Sequence, residues 1–166
     1  MAILRGGRYM RGKVAVNAKR CVACKRCEIE CGIAHSLGKD LVGAVFEVPR
    51  IQHRIDVVET DKGIMPRVCR HCGKPKCVEA CPTGALKSQP DGIVSYDVAL
   101  CDSCYKCIEA CPFDAIRQHP AGGIIKCDLC VERLDRGELP ACVCACHVKA
   151  LTFKPAAEKA AAASPK

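Results

Sequence analysis

Sixteen of the chain's 17 cysteines fall into four quartets with the spacing of thiolate metal sites. The first quartet is Cys21, Cys24, Cys27, Cys31 (C-x2-C-x2-C-x3-C), and the second is Cys69, Cys72, Cys77, Cys81 (C-x2-C-x4-C-x3-C). The third, Cys101, Cys104, Cys107, Cys111, repeats the first spacing. The fourth, Cys127, Cys130, Cys142, Cys146, reads C-x2-C-x11-C-x3-C. A repeat like this governs the architecture ahead of any local propensity. Three cysteines at C-x2-C-x2-C wrap tightly around one corner of a cubane (4Fe–4S) cluster. The backbone N–H groups between them then point at sulfur and tune the reduction potential. The fourth cysteine leaves on the next turn of chain, and in two-cluster proteins of this kind it ligates the neighbouring cluster. Each quartet therefore supplies three ligands to one cluster and one to another.

Zinc is the competing reading, because two C-x2-C pairs also make a four-cysteine zinc site. Zinc sites usually set the two pairs a dozen or more residues apart. The first three quartets instead hold four cysteines within 11 to 13 residues, and two of them end in Cys81-Pro82 and Cys111-Pro112. Both features favour cubanes. The fourth quartet alone is ambiguous, and its place at the end of the series makes it an iron–sulfur site.

The rest of the composition narrows the class. The 166 residues suit one domain or two small fused halves, and with 4% aromatics and no tryptophan the conventional core is thin. A disulfide scaffold is disfavoured by the odd cysteine count, by the metal-type spacings, and by an N-terminus with neither a signal-like apolar run nor an Arg-Arg pair. The cysteines read as reduced ligands in the cytoplasm. Apolar stretches such as Leu41 to Phe46 fall far short of the roughly 20 residues that span a membrane. The formal charge of +8 counts every cysteine as neutral. Each loaded cubane site adds roughly −2, so four bring the protein close to neutral. The basic residues thus balance cluster charge, and nucleic-acid binding is disfavoured further by the scarcity of stacking aromatics. No dinucleotide fingerprint or phosphate loop is present, so NAD, FAD and ATP are not expected on this chain.

The elements that must position the thiolates are short. Ala85-Leu86-Lys87, a Gln89 to Gly92 turn and Ile93 to Tyr96 predict a hairpin, and the pattern recurs as Ala115 to Arg117, a Pro120/Gly122-Gly123 turn and Ile124 to Lys126. A one-turn helix is expected between the last two cysteines of a quartet, stopped by Pro82 or Pro112. A longer helix is expected from Asp128 to Arg136, ending at Gly137, and a strand from Ile51 to Val58. The fold class is α+β. Residues 1–20, with six basic residues and no acid, are expected to be either a solvated arm or a docking arm, and residues 155–166 a disordered tail.

The quartets resemble those of the four-cluster ferredoxin subunits of the dimethyl-sulfoxide-reductase and formate-dehydrogenase class. The resemblance runs from about Cys21 to Phe153. It is carried by Cys69-Arg70-His71-Cys72 with Pro75 to Leu86, and by Lys126-Cys127-Asp128-Leu129-Cys130 with Pro140-Ala141-Cys142. Cys27 to Cys31 with His35, Ser36 and Lys39 to Leu41 are similar to the small ferredoxin subunits of tungsten aldehyde oxidoreductases and carbon monoxide dehydrogenases. The resemblance implies tandem bacterial-ferredoxin-like units in a domain over 21–154, built from two halves, 21–66 with 127–154, and 67–126. It also implies that the first and fourth quartets exchange ligands, as do the second and third. The four clusters would then be held by Cys21, Cys24, Cys27 and Cys146; by Cys127, Cys130, Cys142 and Cys31; by Cys69, Cys72, Cys77 and Cys111; and by Cys101, Cys104, Cys107 and Cys81. Cys144 and His147 depart from the family pattern. Cys144 is expected to be a small buried thiol, with a substitute ligand as the alternative, and His147 a surface or cluster-adjacent group.

The expected function is an electron-transfer subunit with four 4Fe–4S clusters and no catalysis of its own. Its implied partners are a large catalytic subunit with a tungsten- or molybdenum-pterin, tungsten aldehyde oxidoreductase first, and an FAD-containing subunit or soluble ferredoxin as acceptor. Carbon monoxide dehydrogenase, hydrogenase or formate dehydrogenase are the alternative partners. A zinc-binding interaction module is the alternative of another class, and self-association through the basic arm is a further expectation.

Overall fold

A computed structural model of the chain describes residues 12–61 and 63–155. In it, the second residue inside the first C-x2-C pair of each quartet takes left-handed φ: 54° at Ala23, 44° at His71, 60° at Ser103 and 63° at Leu129. Successive N–H groups around such a residue turn to one side and form a concavity that accepts anionic sulfur. Lys25, Tyr105 and Cys130 are also left-handed, and each sits directly before a helix. Side-chain propensity does not explain these loops, since most of these residue types rarely adopt left-handed φ.

The elements follow in order. They are β1 (Gly12–Val16), α1 (Arg26–Ala34), α2 (Leu41–Phe46), β2 (Ile55–Thr60), β3 (Gly63–Val68), α3 (Lys76–Glu79), β4 (Leu86–Ser88), β5 (Val94–Tyr96), α4 (Lys106–Glu109), β6 (Ile116–Gln118), β7 (Ile124–Lys126), α5 (Val131–Asp135), α6 (Ala141–Ala145) and β8 (Leu151–Pro155). The strands form four antiparallel pairs, β1 with β8, β2 with β3, β4 with β5, and β6 with β7. Helices α3 and α4 last one turn and stop before Pro82 and Pro112, which cannot donate the next helical hydrogen bond. The hairpins β4–β5 and β6–β7 fall where the sequence places them. The second turn needs Gly123 (φ 75°), where a Cβ would lie 2.5 Å from the Tyr96 hydroxyl.

Helix α1 packs on α6, and α3 on α4. One apolar cluster joins Leu86, Val94, Cys107, Ile116 and Ile124. A larger one joins Val14, Ile55, Val57, Val68, Ile93, Leu129, Leu134 and Leu151, so residues from both expected halves share a core.

Four expectations change. Residues 12–16 are not arm but strand, because Val14 buries its side chain and β1 pairs along its whole length with β8. Residues 1–11, with Arg5, Arg8 and Arg11, and residues 156–166 of the expected tail lie outside the described residues. The strand expected from Ile51 starts only at Ile55, since Arg54 N–H donates to Cys31 Sγ at 3.2 Å and serves the thiol instead of a ladder. The helix expected from Asp128 starts at Val131. The Leu129 N–H is taken by Cys127 Sγ at 3.3 Å and the Cys130 N–H by Asp128 Oδ1 at 3.0 Å. Its end at Gly137 is as expected, with Glu138 N–H returning to Arg133 O. Helix α2 was not expected, although Asp40 before it is a recognisable cap and accepts from Gly43 N–H at 2.8 Å.

Candidate metal centres

The thiols gather into four sets. Cys21, Cys24, Cys27 and Cys146 line one hollow together with Val57 and Leu151. Burial pushes the Cys27 thiol up to about 12, with further upward pressure from Glu28, Cys146 and Cys21. Cys81, Cys101, Cys104 and Cys107 line a second hollow with Tyr96 and Ile124. There burial, followed by the Cys81, Cys77 and Cys101 charges, pushes Cys107 up to about 11. Cys31, Cys127, Cys130 and Cys142 form the third set, and all four are buried. Burial and mutual repulsion hold Cys127 and Cys142 well above the ordinary thiol range. Cys69, Cys72, Cys77 and Cys111 form the last, where burial and then the Cys69 charge raise both Cys72 and Cys77.

The sets also act on one another electrostatically. Cys27 acts on Cys142, Cys69 on Cys127, and Cys77 on Cys107. The row therefore runs from the Cys21 set through the Cys127 and Cys69 sets to the Cys101 set. Cys24 and Cys104, one in each terminal set, are exposed.

All 17 cysteines are unbridged thiols. Four buried thiols that raise one another's pKa are a poor arrangement for a protein interior and a good one for a cationic iron core, which deprotonates them outright. Backbone donors are already aimed at sulfur. Ala150 and Leu151 N–H groups reach Cys146 Sγ at 3.2 and 3.3 Å. At the equivalent Cys81, burial raises the pKa but hydrogen bonds from the Leu86 and Ala85 backbone help to lower it overall. The residues present fit 4Fe–4S clusters.

A charged shell surrounds the buried set. His35 Nδ1 donates to Cys31 O at 2.6 Å and Nε2 to Asp128 Oδ1 at 3.0 Å, while Arg54 Nη1 lies 2.5 Å from Asp128 Oδ2. Burial opposes the charge on His35, but the Asp128 hydrogen bond outweighs it and raises the imidazole to about 12. Burial likewise opposes the Asp128 carboxylate, and His35 with Arg54 hold it below its ordinary range. Lys126 is buried and donates through Nζ to Val94 O (2.6 Å) and Cys127 O (2.9 Å). His71, also buried, is held down at about 3 by burial and then by Lys126, and is neutral. Sequence reasoning gave no role to Asp128, Arg54, Lys126 or His71. The only available signal for Asp128, Lys126 and His71 was their place inside or beside the C-x2-C pairs, and Arg54 carried none.

Cys144 corrects an expectation. It is exposed, because Cys142 and Ala145 take the inner face of α6 and a residue two positions from Cys142 falls on the opposite side. His147 is exposed as well. Cys144→Ser should leave iron content and visible spectrum unchanged, and iodoacetamide should alkylate Cys144 alone in the loaded protein. Loss of iron from this variant would make Cys144 a ligand.

A family model described as 4Fe-4S dicluster domain matches residues 60–156, more than half of the chain. The chain belongs to this 4Fe–4S dicluster family. An iron-sulfur protein of Rhodospirillum rubrum is 38% identical over 151 residues, covering 83% of this chain and 79% of that protein. The B subunit of the anaerobic dimethyl sulfoxide reductase of Haemophilus influenzae is 35% identical, covering 84% and 71%. The thiosulfate reductase electron transfer subunit of Salmonella typhi is 33% identical, covering 81% and 71%. This dicluster-family member carries 4Fe–4S clusters, and its function is electron transfer without catalysis of its own. No helix among its described residues is long and apolar enough to cross a membrane.

Proposed function

We propose that the chain is a four-cluster electron wire within a multisubunit oxidoreductase. The observation that carries this reading is the row of four thiol sets with an exposed cysteine in each terminal set. The sixteen ligands are assigned as the four sets above, so the first and fourth quartets exchange ligands, and so do the second and third. The contacts of α1 with α6, β1 with β8 and α3 with α4 support that exchange and the two interlocked halves. Each cluster, when bound, takes up and releases one electron at a time. Cys24 and Cys104 bring the two ends of the row to the surface, while the Cys31, Cys127, Cys130 and Cys142 thiols keep water from the middle.

The catalytic partner is a subunit with a tungsten- or molybdenum-pterin. Residues 27–41 favour tungsten aldehyde oxidoreductase, and the names of the relatives favour a reductase of a small sulfur compound. An FAD-containing subunit or a soluble ferredoxin takes the electrons at the other end, and the reduced thiols favour a cytoplasmic location. Self-association now rests on residues 1–11, since 12–16 are committed to β1. Deleting them without changing the elution volume on size exclusion would remove that idea.

Anaerobic analysis should find about 16 iron and 16 sulfide per chain, with coupled spectra from reduced clusters. Zinc in place of iron would end the wire reading. Membership of a complex, rather than free diffusion, is favoured by Leu37, Leu41, Val42, Val45, Phe46 and Val48, all exposed and apolar within 12 residues. A Val42→Asp, Phe46→Asp chain should keep its iron and lose its co-purifying subunits. Retention of those subunits would place the interface elsewhere.

A further inference from the structure

The joint between the two inner thiol sets contains a buried nitrogen without a partner. Val94 N–H donates to His71 Nδ1 at 3.1 Å. A backbone amide can only donate, so Nδ1 presents its lone pair and the ring proton sits on Nε2. That N–H is buried and meets no acceptor. An unmet buried donor is costly and rare in folded proteins.

The neighbouring polar groups cannot serve it. Asp128 Oδ1 already takes His35 and the Cys130 N–H, and Oδ2 takes Arg54. Lys126 is itself a donor, held by Val94 O and Cys127 O. The same Val94 thus fixes both His71 and Lys126, and Lys126 leads directly into Cys127 of the neighbouring set. Sulfur is the acceptor that remains. The equivalent positions in the other three loops are Ala23, Ser103 and Leu129, and Ser103 Oγ is occupied by Gly123 N–H. Only the second loop has an imidazole here.

We propose that His71 Nε2–H donates a hydrogen bond to a sulfur of an inner 4Fe–4S cluster and raises the reduction potential of that cluster. This rests on the four-cluster reading. A donor to sulfur stabilises the more negative, reduced form, so its removal lowers the potential. His71 is a positioning and tuning residue and not a ligand.

The test is a potentiometric electron paramagnetic resonance titration of the loaded chain, wild type against His71→Leu and His71→Gln, with iron counted in each. In His71→Leu one midpoint should shift to lower potential, in a signal that a soluble dysprosium chelate broadens less than the terminal ones. The other midpoints should stay in place. His71→Gln, which can accept from Val94 and still donate, should remain near wild type. In protein labelled with 15N-histidine, pulsed spectra should show a nitrogen coupling that either variant loses. Unchanged midpoints in His71→Leu at full iron content would overturn the proposal. If that variant does not load, a wild-type 15N coupling that persists in His71→Gln would overturn it instead. Iron short of four clusters in the wild type would count against the wire reading and leave His71 out of it.

Discussion

Cys142→Ser should purify with about 12 iron per chain instead of about 16, and should no longer carry electrons between its two ends. Cys142 belongs to the one set whose four thiols are all buried, and that set is an inner member of the row. Serine offers a hard, weakly acidic oxygen where iron–sulfur chemistry needs a soft thiolate. No spare ligand can replace it, because Cys144 lies on the outer face of α6 with its Sγ 3.7 Å from Leu139 O. Removing an outer-shell partner costs a metal site roughly 10- to 100-fold, so loss of a ligand should cut end-to-end transfer by more than about 100-fold. Stability should suffer too. In the proposed assignment Cys31 on α1 and Cys142 on α6 would share one cluster and close a loop of roughly 110 residues. A disulfide closing a loop of about 100 is worth about 4.7 kcal/mol in the chain-entropy account. Iron analysis, stopped-flow transfer and a thermal melt check all three effects. Full iron content in Cys142→Ser would refute the ligand assignment.

Lys126→Met should lower the midpoint of an inner cluster and destabilise the chain by about 3 kcal/mol. Two buried carbonyls, Val94 O and Cys127 O, lose their donor at about 1–3 kcal/mol each. Against a total stability of about 5–15 kcal/mol this is a large fraction. The sign of the redox effect follows from charge. Reduction adds an electron to a dianionic site, a nearby cation favours the reduced form, and removing the cation lowers the potential. Lys126 acts on both inner sets, opposing the burial-driven rise of the Cys77 thiol on one side and binding Cys127 O on the other. Lys126→Arg keeps the charge and should keep the midpoint even where the larger side chain costs stability. Redox titration and denaturant unfolding separate the two consequences. Unmoved midpoints in Lys126→Met at full iron would assign Lys126 a purely structural role.

What could be read from the sequence was local. Covalent spacing limits which thiols one loop can offer to one cluster, so the quartets were visible as text. The hairpins at residues 86–96 and 116–126 and the one-turn helices before Pro82 and Pro112 follow from turn residues and from the missing proline N–H. The exchange between quartets came from family resemblance, because spacing alone does not say which distant cysteine completes a set.

Tertiary structure decided the rest. Whether Arg54 N–H joins a ladder or binds Cys31 Sγ, and whether Leu129 opens a helix or serves Cys127, depends on a thiol brought close by packing and not on propensity. Cys144 was misplaced because its exposure depends on which face of α6 turns toward α1. His35, Asp128 and Arg54 meet only when residues roughly 70 to 90 positions apart are folded together, and the same holds for His71, Val94 and Lys126 over shorter distances. By itself the sequence determined the chemistry of the chain, because ligand type and spacing are covalent facts. The fold determined the order of the four sets, which of them are buried, and which donors and charges surround them, because burial and electrostatics depend on contacts between distant parts of the chain.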